Sequence, residues 1–385
     1  MISLSVPHLA GNEWEYVKNC LDTGWISSAG SYVNRFEQMI AEYTGAHYGV
    51  ACMNGTAGLH LAQLLVGVKR GDHVIVPNIT FVATLNAVTY TGAEPILMDV
   101  DSENWQMDLD LLEDFLENNA YPGNPGAGEE EGRYYLQSTH RPLKAIVPVH
   151  VLGNVGDMDK LLSIALKYNL EVIEDSTESL GSFYKGKHTG RFGKFGVFSF
   201  NGNKIISTGG GGMMVTDDEA LAKKAKHLTT QAKASPEEYY HDEIGYNYRL
   251  VNVLAAIGVA QMEQFPALLA NKRKMDAFYR SELTGVGDIT FQQVLDGVET
   301  NCWLFTFKTA RMRELLQFLN NNGVQSRPFW VPMNSLPMFA GKIYVTQNNV
   351  SAGIYESCIS IPSSGGITQQ ELEEVVKQIK HFYNR

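Results

Sequence analysis

The strongest constraint on this fold is an alternation that lasts for about the first 220 residues. Short runs rich in Val, Ile and aromatics take turns there with helical patterns. Such a rhythm marks βαβ units, in which each helix carries the chain back so that the next strand lies parallel to the last. YGVACM, HVIVPN, PILMDV, KAIVPVH, LEVIED, GVFSF and GGMMVTD are predicted strands; AGLHLAQLLVGV, DLDLLEDFLENN, DMDKLLSIALKYN and DEALAKKAKHL are predicted helices. The class is α/β with a mainly parallel sheet.

A helical stretch from about Val251 to Leu283 follows, in which Pro266 predicts a kink or break. Beyond it CWLFTFKT reads as a strand, RMRELLQFLNNNG as a helix ending on a glycine cap, and TQQELEEVVKQIKHFYNR as a terminal amphipathic helix. The chain of 385 residues therefore divides into a large α/β domain, 1–250, and a connecting helix with a smaller α+β domain, 251–385. Residues 118–142, NNAYPGNPGAGEEEGRYYLQSTHRP, interrupt the alternation with Pro, Gly and an acidic run, and read as an exposed excursion.

Composition narrows the function classes. A formal charge of -11 disfavours a nucleic-acid partner. No apolar run of about 18 residues suggests a membrane span. The opening MISLSVPHLAGNEWEY has neither the basic nor the apolar region of a secretory signal. Cys20, Cys52, Cys302 and Cys358 lie far apart, without CxxC spacing or a nearby histidine, and read as reduced thiols of a cytoplasmic protein with no metal site.

Ligands of an open α/β sheet gather at the carboxyl ends of its strands, and four segments fit that rule. In CMNGTAGLH a strand turns into a helix, where the N–H groups of Gly55, Thr56, Ala57 and Gly58 could hold an anion with the helix dipole; a Gly-rich turn with Thr56 as N-cap is the plain alternative. VIEDSTESLG ends a strand in Glu174-Asp175. A carboxylate there can serve a fixed cation, or cap the next helix with Glu178 as the other half of a capping box. Phe81 in PNITFVATLNA, with Thr80 and Thr84 beside it, could lie on a ring-shaped ligand or belong to the core.

The fourth segment is SFNGNKIISTGGGG, which carries Lys204 in a polar turn close to Ser199. It lacks the Walker A pattern, and its glycines precede a strand rather than a helix, so the dinucleotide fingerprint fails as well. A lone lysine is ordinarily a solvated surface residue, whereas one shielded from water has a depressed pKa and a nucleophilic amine. Taken together, an anion site, a strand-end Asp, a flat aromatic and this lysine match the demands of pyridoxal phosphate. The four glycines read as a tight return into the next strand.

Motifs along nearly the whole chain resemble the sugar aminotransferases of the DegT/DnrJ/EryC/StrS group: TGWISSAGSYVNRFE, NGTAGLHLA, PNITFVATLNAV, HVLGNVGDMD, VIEDSTESLGSFYKG, FSFNGNKIISTGGGGMMVT, GYNYRLVNVLAAIGVAQ and RPFWVPM. The resemblance implies the aspartate aminotransferase fold (pyridoxal-phosphate fold type I). It makes Lys204 the Schiff-base lysine and proton shuttle, Asp175 the partner of the pyridine nitrogen, and Phe81 the stacking ring. Thr56, Ala57 and Ser199, with Gly55, become phosphate contacts. Asn247 would reach the phosphate of a neighbouring subunit, which implies a homodimer with shared sites. Trp25, Ile26, Arg327 and Trp330 fall at the family's substrate mouth.

The nearest resemblance is to members that aminate UDP-linked 4-keto-6-deoxy sugars bearing a 2-acetamido group, with L-glutamate as amino donor; GDP- or dTDP-linked 4-keto-6-deoxyhexoses are the alternative. A related 3-dehydratase would carry His in place of Lys204, and a non-catalytic regulator would not need the full residue set. Two features depart from the family. Glu178 stands where many relatives have Gln against the cofactor's 3-oxygen, so its carboxylate needs a proton or an intervening donor. The 118–142 segment is longer than the family pattern.

Overall fold

The computed structural model describes residues 1–235 and 237–384. All seven predicted strands form: β1 (Tyr48–Cys52), β2 (His73–Pro77), β3 (Glu94–Met98), β4 (Arg141–Ile146), β5 (Glu171–Asp175), β6 (Phe195–Ser199) and β7 (Gly212–Thr216). They belong to one sheet in the order β1-β7-β6-β5-β4-β2-β3. Only β7 runs against its neighbours, β1 and β6, and the remaining pairs are parallel.

Alternate residues of each strand face opposite layers, as a strand's two-residue period demands. Val74, Val76, Val197 and Met214 pack on one face with α3 (Gly55–Leu65), α4 (Ala83–Tyr90) and α7 (Glu219–Thr229). On the other face Ala51, Phe198 and Met213 meet α2 (Ser31–Thr44) and α8 (Asn252–Leu283), while Ile75, Ile96 and Ile146 meet α5 (Leu109–Asn119) and α6 (Met158–Lys167). Burial on both faces is why these strands read as nearly continuous apolar runs. The N-terminal helix α1 (Glu13–Thr23) and α2 were not anticipated from the sequence.

Several expectations need correction. Pro266 does not break helix α8, which continues through it, because packing against α1, α2 and the C-terminal helix α11 (Gln369–Tyr383) outweighs the one hydrogen bond a proline forfeits. Residues 252–269 carry a single charged side chain, Glu263. By length and hydropathy this helix is thus apolar enough to cross a membrane, contrary to the sequence reading. Its buried Val259, Phe265 and Leu268 instead contribute to the core.

The 118–142 segment is largely exposed, as expected, but it is also structured. Its short strands Ala120–Pro122 and Tyr134–Leu136 pair with each other, and the second pairs with β4, so the segment extends the sheet as a hairpin.

A second sheet of four short antiparallel strands, Thr290–Phe291, Thr306–Lys308, Cys358–Ser360 and Arg327–Pro328, packs with the end of α8, with α9 (Met312–Asn321) and with α11. The predicted strand CWLFTFKT is trimmed to Thr306–Lys308, since Cys302 takes a left-handed backbone, φ 54°, which takes it out of a ladder. Residues 344–345 leave the C-terminal unit and pair with Leu97 and Met98 at the edge of the large sheet.

Candidate active site

Four strand ends converge at one edge of the large sheet. β1 leads through Met53 into Asn54 and the start of α3, β5 ends in Asp175, β6 ends in Ser199, and Gly212 opens β7 opposite both Ser199 and Cys52. A Cβ on Gly212 would lie 2.6 Å from the Asn54 carbonyl carbon, so only glycine lets β7 start this close to the helix entry. The cavity they enclose measures about 350 Å³, ample for a small organic ligand. Of the predicted site residues, Gly55, Thr56, Phe81, Asp175, Glu178, Ser199, Lys204 and Trp330 all line it.

The anion cradle is narrower than the sequence suggested. Asn54, not Thr56, is the N-cap of α3: its side chain accepts the Ala57 N–H at 2.8 Å, and its carbonyl accepts the Gly58 N–H at 3.2 Å. Ala57 therefore does not line the cavity, and its N–H is already used. The N–H groups of Gly55 and Thr56 have no such partner among the described residues, and they sit at the positive end of the helix dipole. Gly55 is required by space, since a Cβ would come within 2.9 Å of the Thr177 methyl and 3.1 Å of the Ser199 Cβ.

Asp175 is buried and does not cap a helix, because no helix follows β5 directly. Thr84 Oγ1 donates to its Oδ2 at 2.7 Å, and the Thr177 N–H donates to Oδ1 at 3.2 Å. The turn after β5 and helix α4 thus each hold one oxygen of the carboxylate. Phe81 lines the same cavity and is 56 % exposed, which excludes the core alternative for it.

Lys204 sits in a turn fastened at several points. Its N–H donates to the Asn201 carbonyl at 3.0 Å, and the Asn203 carbonyl accepts from Ser5 Oγ at 2.9 Å and Trp303 Nε1 at 2.7 Å. The side chain is 12 % exposed, with Nζ 3.7 Å from Glu178 Oε1 and 4.0 Å from the Trp303 ring centroid. Burial pulls its ammonium below the ordinary lysine range, while Glu178 and Asp175 oppose that shift. This environment suits a nucleophilic amine.

Glu178 is no partner in a capping box. It faces the amine, and its Oε2 accepts the Leu152 N–H at 2.8 Å. Leu152 holds a left-handed conformation, φ 60°, to present that N–H, an example of backbone strain at a functional site. Burial pushes the Glu178 carboxyl up to about 7, with Lys204 pulling the other way. The family resemblance sets this side chain against the cofactor's anionic 3-oxygen, and a carboxyl raised in this way can meet that oxygen with a proton.

The glycine run behaves as expected in turning back into β7, with Gly209 at φ 81°. Gly210 and Gly211 nevertheless also line the cavity, as do Asn201, Asn203 and Trp303, none of which the sequence singled out. Trp303 lies in an irregular segment remote in the chain, and no local pattern marks it. Four other expected residues stand outside the cavity. Asn247 is exposed beside the Thr230 backbone, Trp25 and Ile26 are 58 % and 49 % exposed after α1, and Arg327 begins an exposed short strand. The four cysteines are free thiols.

The residues present fit pyridoxal phosphate: a helix-end anion cradle, a buried carboxylate oriented by Thr84, a flat ring and a shielded lysine meet around one cavity of suitable size.

Known proteins agree. The chain is 36 % identical over 381 residues to a GDP-perosamine synthase of Escherichia coli O157:H7, covering 98 % of this chain and 97 % of that one. It is 35 % identical over 385 residues to a GDP-perosamine synthase of Caulobacter vibrioides, covering 97 % and 96 %. The crystal structure of S. venezuelae DesV superposes with a TM-score of 0.85 at 25 % identity, covering 97 % of this chain and 95 % of that one. Residues 7–380 match the DegT/DnrJ/EryC1/StrS aminotransferase family. With Lys204 shielded beside Glu178 and facing a helix-end anion site, this pyridoxal-phosphate-dependent aminotransferase belongs to the DegT/DnrJ/EryC1/StrS family.

Proposed function

We propose that the protein moves an amino group from L-glutamate to the C4 ketone of a GDP-linked 4-keto-6-deoxyhexose. The observation that carries the aminotransfer is the shielded Lys204 amine, 3.7 Å from Glu178, in one cavity with Asp175. The GDP reading replaces the UDP-linked 2-acetamido sugar favoured by the sequence, because both curated relatives named above are GDP-perosamine synthases matched along nearly their full length.

When bound, pyridoxal phosphate supplies a carbonyl carbon to carry the amino group and an electron-poor ring to take up electron pairs. Gly55 and Thr56 offer N–H groups to its phosphate, with the Ser199 hydroxyl beside them. Asp175, fixed by Thr84 and Thr177, offers a carboxylate that keeps a ring nitrogen protonated. Lys204 takes and returns a proton at Nζ, and its lowered affinity for that proton suits both directions of transfer. Glu178 presents a proton-bearing carboxyl to an anionic oxygen, held in place by the Leu152 N–H.

Asn247 would act from the partner subunit of a homodimer. Its exposure, together with that of Tyr239, Tyr240 and Ile244 nearby, 94 %, 61 % and 84 %, supports an interface there. Incubating the protein with glutamate and a panel of GDP-, dTDP- and UDP-linked 4-keto-6-deoxy sugars, with products identified by mass spectrometry and NMR, tests the proposal. The expected product is a 4-amino sugar formed fastest from the GDP substrate. Preference for the UDP-2-acetamido sugar would overturn the nucleotide assignment, and a deoxy-keto product without a new amine would overturn the reaction.

A further inference from the structure

One buried cation has no part in the chemistry described above. Lys272, in the middle of α8, is 1 % exposed, and its Nζ donates to the Trp303 carbonyl at 2.7 Å and to the Ser363 carbonyl. Neutral carbonyls are poor compensation for burying an ammonium, and an apolar residue of similar length would fill the space at less cost. Burial correspondingly pulls the Lys272 ammonium down to about 7. What the arrangement gains is control of the Trp303 peptide.

That peptide is gripped at both ends. The Trp303 N–H donates to Asn301 Oδ1 at 3.1 Å, and the carbonyl is held by Lys272. Asn301 in turn donates to the Glu178 and Leu180 carbonyls at 2.8 and 2.9 Å, and Cys302 between them adopts its left-handed conformation. With its backbone fixed, Trp303 lays its ring over Lys204 Nζ and gives its Nε1–H to Asn203, the residue before the lysine.

We propose that Lys272 is a positioning residue for Lys204: by fixing the Trp303 peptide it sets the indole as a ceiling over the amine. The proposal rests on Lys204 being the covalent lysine of the function given above. A free lysine side chain has four rotatable carbon bonds to wander through, and each catalytic cycle needs its amine returned to the same point. Trp303 and Glu178, 4.0 and 3.7 Å from Nζ, confine it between them and the turn. Displacement of a reacting atom by about 1 Å can cost on the order of 100-fold in rate.

The test uses full-length protein, stripped of cofactor for the capture measurement and reloaded with pyridoxal phosphate for the kinetics. It compares the parent with Lys272→Met, Trp303→Phe, Trp303→Leu and the Lys272→Met/Trp303→Leu double variant. The measured quantities are the rate at which Lys204 captures pyridoxal phosphate, followed by absorbance and by borohydride fixation with peptide mass spectrometry, the kcat and KM with glutamate, and the melting temperature. Lys272→Met is expected to slow capture and to lower kcat by about tenfold each, with KM for glutamate changed less than about twofold. If Lys272 acts through Trp303, adding Lys272→Met to Trp303→Leu costs less than about twofold more.

Equal factors in the two backgrounds, or unchanged capture in Lys272→Met, would overturn the proposal. Should Lys272→Met not fold, the order parent, Trp303→Phe, Trp303→Leu decides: capture is expected to slow along it, and equal capture by all three would refute the ceiling. Absence of capture at Lys204 in the parent would instead bring down the functional reading itself, and this inference with it.

Discussion

At the scale of the residue, the site works by placing groups that repel burial next to one another. Glu178 and Lys204 are each driven toward the neutral form by burial, and each restrains the other. For Glu178 the rise from 4.5 to about 7 has a consequence for stability. A carboxyl that binds its proton more tightly in the folded state contributes stability that is fully present below its unfolded pKa and is lost as pH rises through the folded value. In cofactor-free protein, the wild type is therefore expected to lose stability relative to Glu178→Gln between pH 4.5 and about 7, read as the difference in melting temperature. A constant difference across that window would show that Glu178 is not shifted.

Much of this chemistry was legible residue by residue. Lys204, Asp175 and Phe81 each had an ordinary structural alternative, which the burial of Lys204, the lack of a helix directly after Asp175 and the exposure of Phe81 remove, and the three meet in one cavity. Trp303 and Lys272 were not legible, since their roles depend on contacts across 100 and 31 residues of chain.

At the scale of the element, the anion cradle depends on two close junctions, β1 into α3 and β6 into β7. Gly55 and Gly210 both line the cavity but differ in what surrounds them. A Cβ on Gly55 presses on Thr177 and Ser199, whereas one on Gly210 meets nothing within 4 Å. Gly55→Ala is expected to destabilise the cofactor-free protein by about 1–3 kcal/mol. Gly210→Ala should stay within about 0.5 kcal/mol, both measured by urea unfolding. Similar values for the two would mean that the junction is looser than drawn.

The strands themselves were easy to read because both faces of the sheet are buried and the runs are apolar throughout. The hairpin in 118–142 was hidden because its strands are three residues long, below the length at which alternation can register. Side-chain type alone does not distinguish Thr56 from Asn54 as the cap; the extended backbone of Asn54, φ -170° and ψ 168°, makes that choice.

At the scale of the whole molecule, the chain ties its two sheets together through the site. The segment Asn301–Trp303 joins the C-terminal unit to Glu178 and to the lysine turn, and residues 344–345 return to the large sheet. A site completed by Asn247 of a partner subunit predicts complementation. Neither Lys204→Ala nor Asn247→Ala homodimers should be fully active, but mixing and reassembling them should give heterodimers with one intact site. Statistical mixing would restore up to about a quarter of wild-type activity. No gain on mixing would place Asn247 outside the partner's site.

The proposed function requires that Lys204 be the residue that bonds to the cofactor. Borohydride reduction of the purified protein with pyridoxal phosphate, followed by peptide mass spectrometry, tests it most directly. Stoichiometric label on the peptide carrying Lys204, absent in Lys204→Ala, is the predicted result. Label on any other lysine, or none while the protein still aminates its substrate, would contradict the account.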